Sequence, residues 1–267
     1  MKSFQPSGVI TFTTDFGHKG PFIGTMKGAI LSRFRDATIV DISHETSVHW
    51  PAEAGFWISR SYQYFPEGTV HVAIVDPGVG GQRDIIVAIN NRHCFIAPDN
   101  GLLTPLLKST EMEAYRIDLD ALEHLALPKP SATFHGRDIF APVAAEIARG
   151  ALSPSQVGEP KTELVPSLLD EAEQSNGAVS GVVVTVDNFG NLITNIDESL
   201  VVQLESPICE IGGHRMKFHR TYARVTPGEY LALINSFGVV EIARAEQSAA
   251  LGLGMGRGAP VRLVEDH

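Results

Sequence analysis

The stretch that decides the fold is VAIVDPGVGGQRD, residues 72–84. It begins as a continuous apolar run, reaches a single carboxylate at Asp76 and breaks at Pro77. Such a run, bounded by a turn, is typical of a strand that is buried on both faces of a sheet. Three glycines between positions 78 and 81 let the chain reverse sharply. The pattern therefore predicts that Arg83 folds back onto the acid at the end of the strand.

Strands and helices alternate along the first part of the chain. Residues 8–17, GVITFTTDFG, are predicted to form a buried strand that ends at Asp15, and the segment after it has helical apolar spacing. Further on, RDIFAPVAAEIARG is predicted to be a helix that closes at Gly150. The alternation predicts an α/β domain with a central, largely parallel sheet over residues 1–160.

The character of the sequence changes after that helix. Residues 161–177 carry many charges and little periodicity, which indicates a linker. Residues 178–267 contain short alternating apolar runs and glycine turns, typical of an antiparallel β-barrel-like domain. The predicted fold class is therefore α/β with a second, β-barrel-like domain, and a cleft between the two domains is the expected ligand site.

Charge and cysteine content narrow the classes of partner. Lys and Arg number 21 against 31 Asp and Glu, which gives a formal charge of −10. This balance argues against nucleic acid or anionic lipid as a partner and leaves a cationic small molecule open. Cys94 and Cys209 lie far apart in strand-like segments, so we expect buried thiols rather than a disulfide. No apolar leader or membrane-length segment occurs, so a cytoplasmic location without membrane contact is expected.

The polar residues of the first domain stand at the ends of its elements. Asp15 and Asp76 each close a strand, and ligands of α/β sheets collect outside the carboxyl ends of the strands. Two acids there suit ribose hydroxyls or a metal ion, although an acid in a turn also caps its own backbone. His135 stands just before a helix. The spacing of His44 and His49 does not match a helical zinc motif, and no metal site is predicted.

The second domain contains an unusual polar cluster in VDNFGNLITN, residues 186–195. A hairpin turn explains the Asn-Phe-Gly at its centre. It does not obviously require Asp187, Asn191 and Asn195, which suggest recognition of amide and amine groups. INSFGVV places Ser236 at another turn between apolar strands.

Five motifs in this order resemble one known family: TTDFG, VDPGVGGQR, FHGRDIF, DNFGNLITN and NSFGVVEIA. They are similar to the S-adenosyl-L-methionine (SAM) hydroxide adenosyltransferases, relatives of the bacterial fluorinase and chlorinase. The resemblance spans nearly the whole chain. It implies hydrolysis of SAM to adenosine and methionine without cofactor or metal, in a homotrimer with sites between subunits.

The resemblance also implies roles for residues of the first domain. Asp76, Arg83 and His135 fall at the positions of a catalytic trio. Asp15 falls where the family holds the ribose diol. Trp50 falls where an aromatic residue lines the pocket, although a lone tryptophan also suits a core.

In the second domain the resemblance implies a set of substrate contacts. Asp187 would receive the methionine ammonium, with Ser236 near the carboxylate. Asn191 would read the adenine edge, Phe189 belongs to the same substrate-binding set, and Arg244 is a further candidate on the adenine side.

Two departures from the fluorinase favour water as the nucleophile. The residue after His135 is Gly136, where the fluorinase has a serine that contacts halide, and the fluorinase's extra loop after HCFIAPDNG is missing. Three alternatives stay open at this point. They are a SAM halogenase, a non-catalytic SAM or adenosine sensor, and a metal hydrolase that uses Asp15, Asp76 and His135.

Overall fold

The structure of the protein, a computed structural model, describes residues 4–90, 92–109, 112–127 and 129–266. The chain divides into two compact units, Met1–Leu169 and Asp170–His267. The division falls inside residues 161–177, the segment that is predicted to be a linker. Part of this segment, Glu173–Ser175, forms a strand that pairs with a strand of the second unit.

The first unit is built on a 7-stranded sheet flanked by helices. Its strands are β1 (Val9–Thr14), β2 (Thr38–Ser43), β3 (Val70–Ile74), β4 (Ile85–Ile89), β5 (Cys94–Pro98), β6 (Glu113–Ile117) and β7 (Gly158–Pro160). Its α-helices are α1 (Phe22–Arg33), α2 (Pro51–Ser61), α3 (Thr104–Ser109) and α4 (Ala141–Ala148).

The sheet has the strand order β2-β1-β3-β5-β4-β6-β7. Strand β1 lies parallel to β2 and β3, and β3 lies parallel to β5, whereas the pairings of β4, β6 and β7 are antiparallel. The α/β class is confirmed, with a sheet that is mixed rather than parallel throughout. Because Thr14 lies opposite Ile74 in neighbouring parallel strands, Asp15 and Asp76 leave the sheet at the same edge.

The apolar run of β3 is buried along its whole length because helices cover both faces of the sheet. Its alternate residues enter two different cores. Val72 packs in a cluster with Met26 of α1, and Ala73 packs in a cluster with Ile58 of α2. This double cover fixes β3, and therefore the chain that leaves its end.

The predicted helix at residues 137–150 has two parts. Gly136–Phe140 forms a π-helical turn, and α4 follows it. Pro142 has no amide hydrogen to donate, so the regular hydrogen-bond ladder is interrupted where the wider turn meets α4. The helix ends before Gly150, whose φ of 76° suits a glycine that closes a helix, as predicted.

The second unit is an antiparallel, nearly closed sheet, which confirms the β-barrel-like expectation. Its strands are β8 (Glu173–Ser175), β9 (Ala178–Val186), β10 (Leu192–Asp197), β11 (Pro207–Ile211), β12 (His214–Lys217), β13 (Tyr230–Ile234), β14 (Val239–Arg244) and β15 (Pro260–Glu265). Two short helices, α5 (Glu198–Val201) and α6 (Ala249–Leu253), accompany them. The order is β12-β11-β15-β9-β10-β14-β13, with β8 beside β9, and a bridge from Phe218 to Ala232 nearly completes the circle.

Both cysteines are buried and unbonded, as the sequence predicts. Burial raises the pKa of the Cys209 thiol to about 12, so this thiol stays protonated and unreactive at neutral pH. Within the described residues, no helix combines the length and the hydropathy of a membrane span.

We predict that Gly55→Ala destabilises the first unit by about 1–3 kcal/mol, because a Cβ at this position of α2 would overlap the carbonyl oxygen of Leu102. Gly28→Ala, in the exposed face of α1 where a Cβ meets nothing within 4 Å, is the matched control. It should stabilise by about 0.4–1 kcal/mol. Urea unfolding of both variants measures the difference, and equal midpoints would contradict the packing of α2.

Candidate active site

Arg83 is paired with the carboxylate at the end of β3, as the glycine loop predicts. Its Nε lies 3.2 Å from Asp76 Oδ1 and 3.0 Å from Asp76 Oδ2, and its Nη2 lies 2.5 Å from Oδ2. The side chains of Arg83 and Asp76 are 12% and 5% exposed. At Gly80, with φ of 76°, a Cβ would overlap the carbonyl oxygen of Ala132, so this tight turn requires glycine. The loop thus delivers a fixed, largely buried ion pair.

His135 completes a contiguous group with this pair. Arg83 Nη2 lies 2.9 Å from His135 Nδ1. Because a guanidinium only donates hydrogen bonds, Nδ1 must be the acceptor. This contact assigns a neutral imidazole with its proton on Nε2. Burial and then the positive charge of Arg83 lower the pKa of His135, against the opposing effect of Asp76, which agrees with the neutral form.

A second set of hydrogen bonds holds the segment on which His135 lies. The amide of Ser131 donates to Asp138 Oδ2 at 2.8 Å, and the amide of Phe134 donates to Ser131 Oγ at 3.1 Å. Burial alone would raise the pKa of Asp138, but hydrogen bonds from Arg137 and Ser131 outweigh it and bring the pKa to about 2. Asp138 therefore stays ionised and fixes the entrance to the π-helical turn.

A cavity of about 160 Å³ opens beside the trio. Its walls are mostly apolar and include the rings of Phe16, Phe22 and Phe134, while the polar lining groups include Asp76 and His135. The rings of Phe22 and Phe134 meet edge to face at 5.4 Å. An apolar wall strengthens the electrostatic influence of neighbouring charges on anything bound there.

The residue after His135 has little room for a side chain. A Cβ at Gly136 would lie 3.1 Å from Met26 Sδ and 3.2 Å from the ring of Phe134. A serine hydroxyl at this position would need these neighbours to shift. Packing therefore favours glycine at this position.

Asp15 and Trp50 are linked by the loop before α2. Asp15 Oδ2 accepts a hydrogen bond of 3.0 Å from the amide of His49, which has a left-handed φ of 62°. Trp50 follows directly and caps α2, and Pro51 opens that helix as predicted. The left-handed residue turns its amide toward the acid, so the end of β1 and the start of α2 are fixed together. HETSVH itself lies in this loop, outside any helix.

In the second unit, the polar cluster has structural partners that the sequence analysis did not assign. Asp187 Oδ1 accepts from the amides of Phe189 and Asn191 at 2.9 Å, and Asn191 Nδ2 donates to Asp187 Oδ2 at 3.0 Å. Asn195 Oδ1 accepts from the amide of Val182 at 2.8 Å. All three polar side chains therefore serve the hairpin and its strands, contrary to the expectation that a hairpin does not require them.

The same hairpin borders a cavity of about 540 Å³. Its walls include Phe189, Asn191, Tyr222 and Arg244, so three of the predicted substrate contacts line one cavity. Phe189 is 77% exposed and Asn191 is buried. Arg244 is held by a 2.9 Å hydrogen bond from Nε to the carbonyl of Gly228. Ser236 lies exposed in the turn between β13 and β14, as expected.

Sequence reasoning missed Tyr222, which lines this cavity, and the buried Glu241 to which Tyr222 is bound. The hydroxyl of Tyr222 donates to Glu241 Oε1 at 2.6 Å, and Asn235 Nδ2 donates to Oε2 at 3.3 Å. Burial and then the nearby charge of Asp187 raise the pKa of Glu241, against these two hydrogen bonds. An acid inside the apolar run VVEIA was a usable signal for Glu241. Tyr222 lies in an irregular segment that gave none.

The donor set does not fit the metal-hydrolase alternative. Two of its three ligands, Asp76 and His135, direct their polar atoms at the Arg83 guanidinium, a cation that already occupies the place of a metal. Among the residues that the structure describes, no group of three or more His, Cys, Asp or Glu side chains has the arrangement of a metal site.

The fold and the site define a protein of two units, an α/β unit with a charged trio and an antiparallel β unit with a polar hairpin. Models of the SAM hydroxide adenosyltransferase N-terminal and C-terminal domains match residues 10–158 and 181–262. The chain belongs to the SAM hydroxide adenosyltransferase family and is an enzyme of that family.

Known relatives cover almost the full chain. An (R)-S-adenosyl-L-methionine hydrolase of Thermus thermophilus is 35% identical over 96% of this chain and 99% of its own. A protein of the same name from Methanocaldococcus jannaschii is 33% identical over 91% and 90%. A fluorinase of Actinopolyspora mzabensis is 28% identical over 96% and 97%. The crystal structure of an uncharacterized conserved protein from Thermotoga maritima, 32% identical, covers 96% of this chain and 100% of its own, with a TM-score of 0.89.

We predict that ¹⁵N NMR at neutral pH finds the His135 proton on Nε2 and Nδ1 unprotonated. Because burial and Arg83 lower the pKa, the ring should remain neutral to a lower pH than an ordinary histidine. In Arg83→Ala the charge is lost and the burial stays, so the pKa should rise. Arg116→Ala, which removes an exposed arginine of the same unit, is the control and should leave the titration unchanged. A proton on Nδ1 would contradict the assigned hydrogen bond.

Proposed function

We propose that the protein hydrolyses SAM to adenosine and L-methionine by in-line attack of water on ribose C5′. Support comes from the family and from the names of its relatives, SAM hydrolases at 33–35% identity. The single observation that carries the proposal is the Arg83 guanidinium, held between Asp76 and His135, which both line a small cavity.

The reaction needs a well-placed oxygen rather than a redox group. The water oxygen forms a bond to C5′ as the C5′–S⁺ bond breaks, the bonding pair goes to sulfur, and the attacking water gives a proton to solvent. Methionine leaves as a neutral thioether. Because water is a weak nucleophile, placement opposite the sulfur supplies much of the rate, up to roughly 7–11 kcal/mol in favourable models. No cofactor or metal enters this scheme.

We assign binding of the attacking water oxygen to Arg83. Its Nε binds Asp76, and its Nη2 binds both Asp76 and His135. Among the described residues, its Nη1 has no protein acceptor. The Nη1 hydrogens are the donors proposed for water. A permanent cation there stabilises hydroxide character as it develops. Asp76 partly neutralises this cation, which limits its repulsion of the sulfonium substrate.

His135 has a narrower role in this proposal than a free histidine would have. Since Nδ1 accepts from Arg83, protonation at Nδ1 would break that contact. We therefore propose that His135 holds Arg83 through Nδ1 and directs its Nε2 hydrogen to the attacking water. In this tautomer His135 can orient the water oxygen, and it can act as a base only after a change of tautomer. Its main assigned role is therefore to orient the water.

The remaining roles follow the family by position. We assign the ribose diol to Asp15, an aromatic pocket wall to Trp50, the methionine ammonium to Asp187 and its carboxylate to Ser236. The adenine side is assigned to three residues that line the larger cavity: Phe189, Asn191 and Arg244. Asp187 has remaining lone pairs beyond its three hairpin hydrogen bonds, so its structural part leaves room for an ammonium.

The homotrimer with sites between subunits, and the cytoplasmic location, belong to the same proposal. Light scattering of the purified protein checks the trimer.

A SAM halogenase is the second candidate because fluorinases are among the relatives, but at lower identity, and Gly136 stands where their halide contact would be. A sensor without catalysis remains the third.

We predict that purified protein and SAM, without added metal or halide, give adenosine and methionine in equal amounts. Arg83→Ala should lower kcat by about 10²–10³-fold, as expected for loss of a donor to a developing oxyanion. Arg116→Ala, the surface control in the same unit, should keep its rate. Chromatography of the products gives the answer.

Other outcomes separate the alternatives. Intact SAM with tight binding that Asp187→Ala abolishes would indicate a sensor. A 5′-halo-5′-deoxyadenosine product on addition of chloride or fluoride would indicate a halogenase, and loss of activity with a chelator would indicate a metal hydrolase.

A further inference from the structure

The loop that carries Asp76 and Arg83 is held at both ends by one turn, the residues that follow β5. At its start, the carbonyl oxygen of Val75 accepts a hydrogen bond of 2.8 Å from Asn100 Nδ2. At its end, the carbonyl oxygen of Asp84 accepts a hydrogen bond of 2.9 Å from the amide of Asp99. These contacts flank the ion pair directly, one residue before Asp76 and one after Arg83.

Lys161 locks the second of these ends. Its Nζ lies 2.8 Å from Asp84 Oδ2 and 3.1 Å from Asp99 Oδ2. The backbone of Lys161 is itself fixed, because its amide donates to the carbonyl of Ala114 at 2.8 Å. Asp99 Oδ1 accepts from the amide of Val165 at 2.9 Å, so this acid is used on both sides. The hydrogen bond to Asp84 raises the pKa of Lys161, which keeps the ammonium charged.

The loop needs such support because of its composition. Gly78, Gly80 and Gly81 give the chain wide conformational freedom. If the loop moved, the Arg83 guanidinium would move with it, away from the cavity. The Lys161 side chain is 24% exposed and the Asp99 side chain 5%, so the contact between them is partly shielded from water. A half-buried ion pair that joins sequence-distant segments is better placed than a surface pair to hold a precise geometry.

We propose that Lys161, with Asp99 and Asn100, is a positioning element for the reaction: it holds the loop so that Arg83 stays oriented between Asp76 and His135. The proposal rests on the proposed function, since it gives these residues a part in SAM hydrolysis. Within the described part of the chain, the side chain of Lys161 pairs with Asp84 and Asp99, neither of which lines the small cavity, so its effect on the reaction passes through Arg83.

The test is Lys161→Met, which keeps the length of the side chain and removes the charge. We expect kcat for SAM to fall about 10- to 100-fold, the range for a slightly misplaced catalytic group, with KM changed less than about twofold. The matched control is Lys27→Met. Lys27 forms a similar ion pair with Asp41 in the same unit, at 2.6 Å and with 30% exposure, and this variant should keep the wild-type kcat.

A double-mutant comparison separates positioning from loss of structure. In an Arg83→Ala background, Lys161→Met should cause almost no further loss of kcat, because the group it positions is gone. A wild-type kcat, a loss that appears mainly in KM, or an equal further loss in the Arg83→Ala background would each overturn the proposal. If Lys161→Met does not fold, Asn100→Ala and Lys161→Arg take its place, and Lys161→Arg should recover at least part of the rate.

A readout that does not depend on turnover keeps the two proposals apart. The Arg83 Nε hydrogen, bound to Asp76, should give an NMR signal protected from exchange, assigned by its loss in Arg83→Ala. Lys161→Met should lose that protection and Lys27→Met should keep it. If the wild type does not hydrolyse SAM, the proposed function fails, and this signal alone decides whether Lys161 orients Arg83. Unchanged protection in Lys161→Met would overturn the positioning role of Lys161.

Discussion

The geometry of the candidate site in the first unit depends on one interaction, the pairing of Arg83 with Asp76 at the end of β3. Both side chains are largely removed from water. A buried charge without its partner is strongly unfavourable, so the two must stay together. The strand is fixed by cores on both faces, and the arginine therefore adjusts to the acid. The glycine loop, the neutral tautomer of His135 and the turn after β5 all follow from keeping this pair in place.

The two units contribute different chemistry. The first has a fixed cation and acid beside a small, mostly apolar cavity. The second has a larger cavity with an exposed aromatic ring and amide groups on a stiff hairpin. The first arrangement suits a reacting centre and the second suits recognition of a flat, polar ligand. Side-chain hydrogen bonds fix the charged groups of the first unit, whereas backbone amides fix Asp187 in the second.

The sequence predicted those features that depend on local pattern. The buried strand before Asp76, the return of Arg83 and the helix start at Pro51 follow from apolar runs, glycines and proline. It could not predict contacts that join distant segments, such as Tyr222 with Glu241 or Lys161 with Asp84. Lys161 lies in a segment whose sequence predicts a linker. A single lysine among other charged residues gives no local pattern that would reveal its partners. The structural role of Asp187 was missed for another reason. Its carboxylate accepts hydrogen bonds within the turn and still has lone pairs free for a ligand, so one residue can serve both purposes.

The contacts of Lys161 with the end of the loop that carries Asp76 and Arg83 also set an order of events during synthesis. Asp76 and Arg83 lie in the first third of the chain, while Lys161 and Val165, which bind Asp84 and Asp99, come much later. A growing chain on the ribosome holds the acid and the arginine long before it holds the lysine. The α/β unit therefore acquires its final loop geometry only after nearly all of its own sequence has emerged. A chain that ends before Lys161 therefore contains Asp76 and Arg83 but lacks the ion pairs that hold the end of their loop.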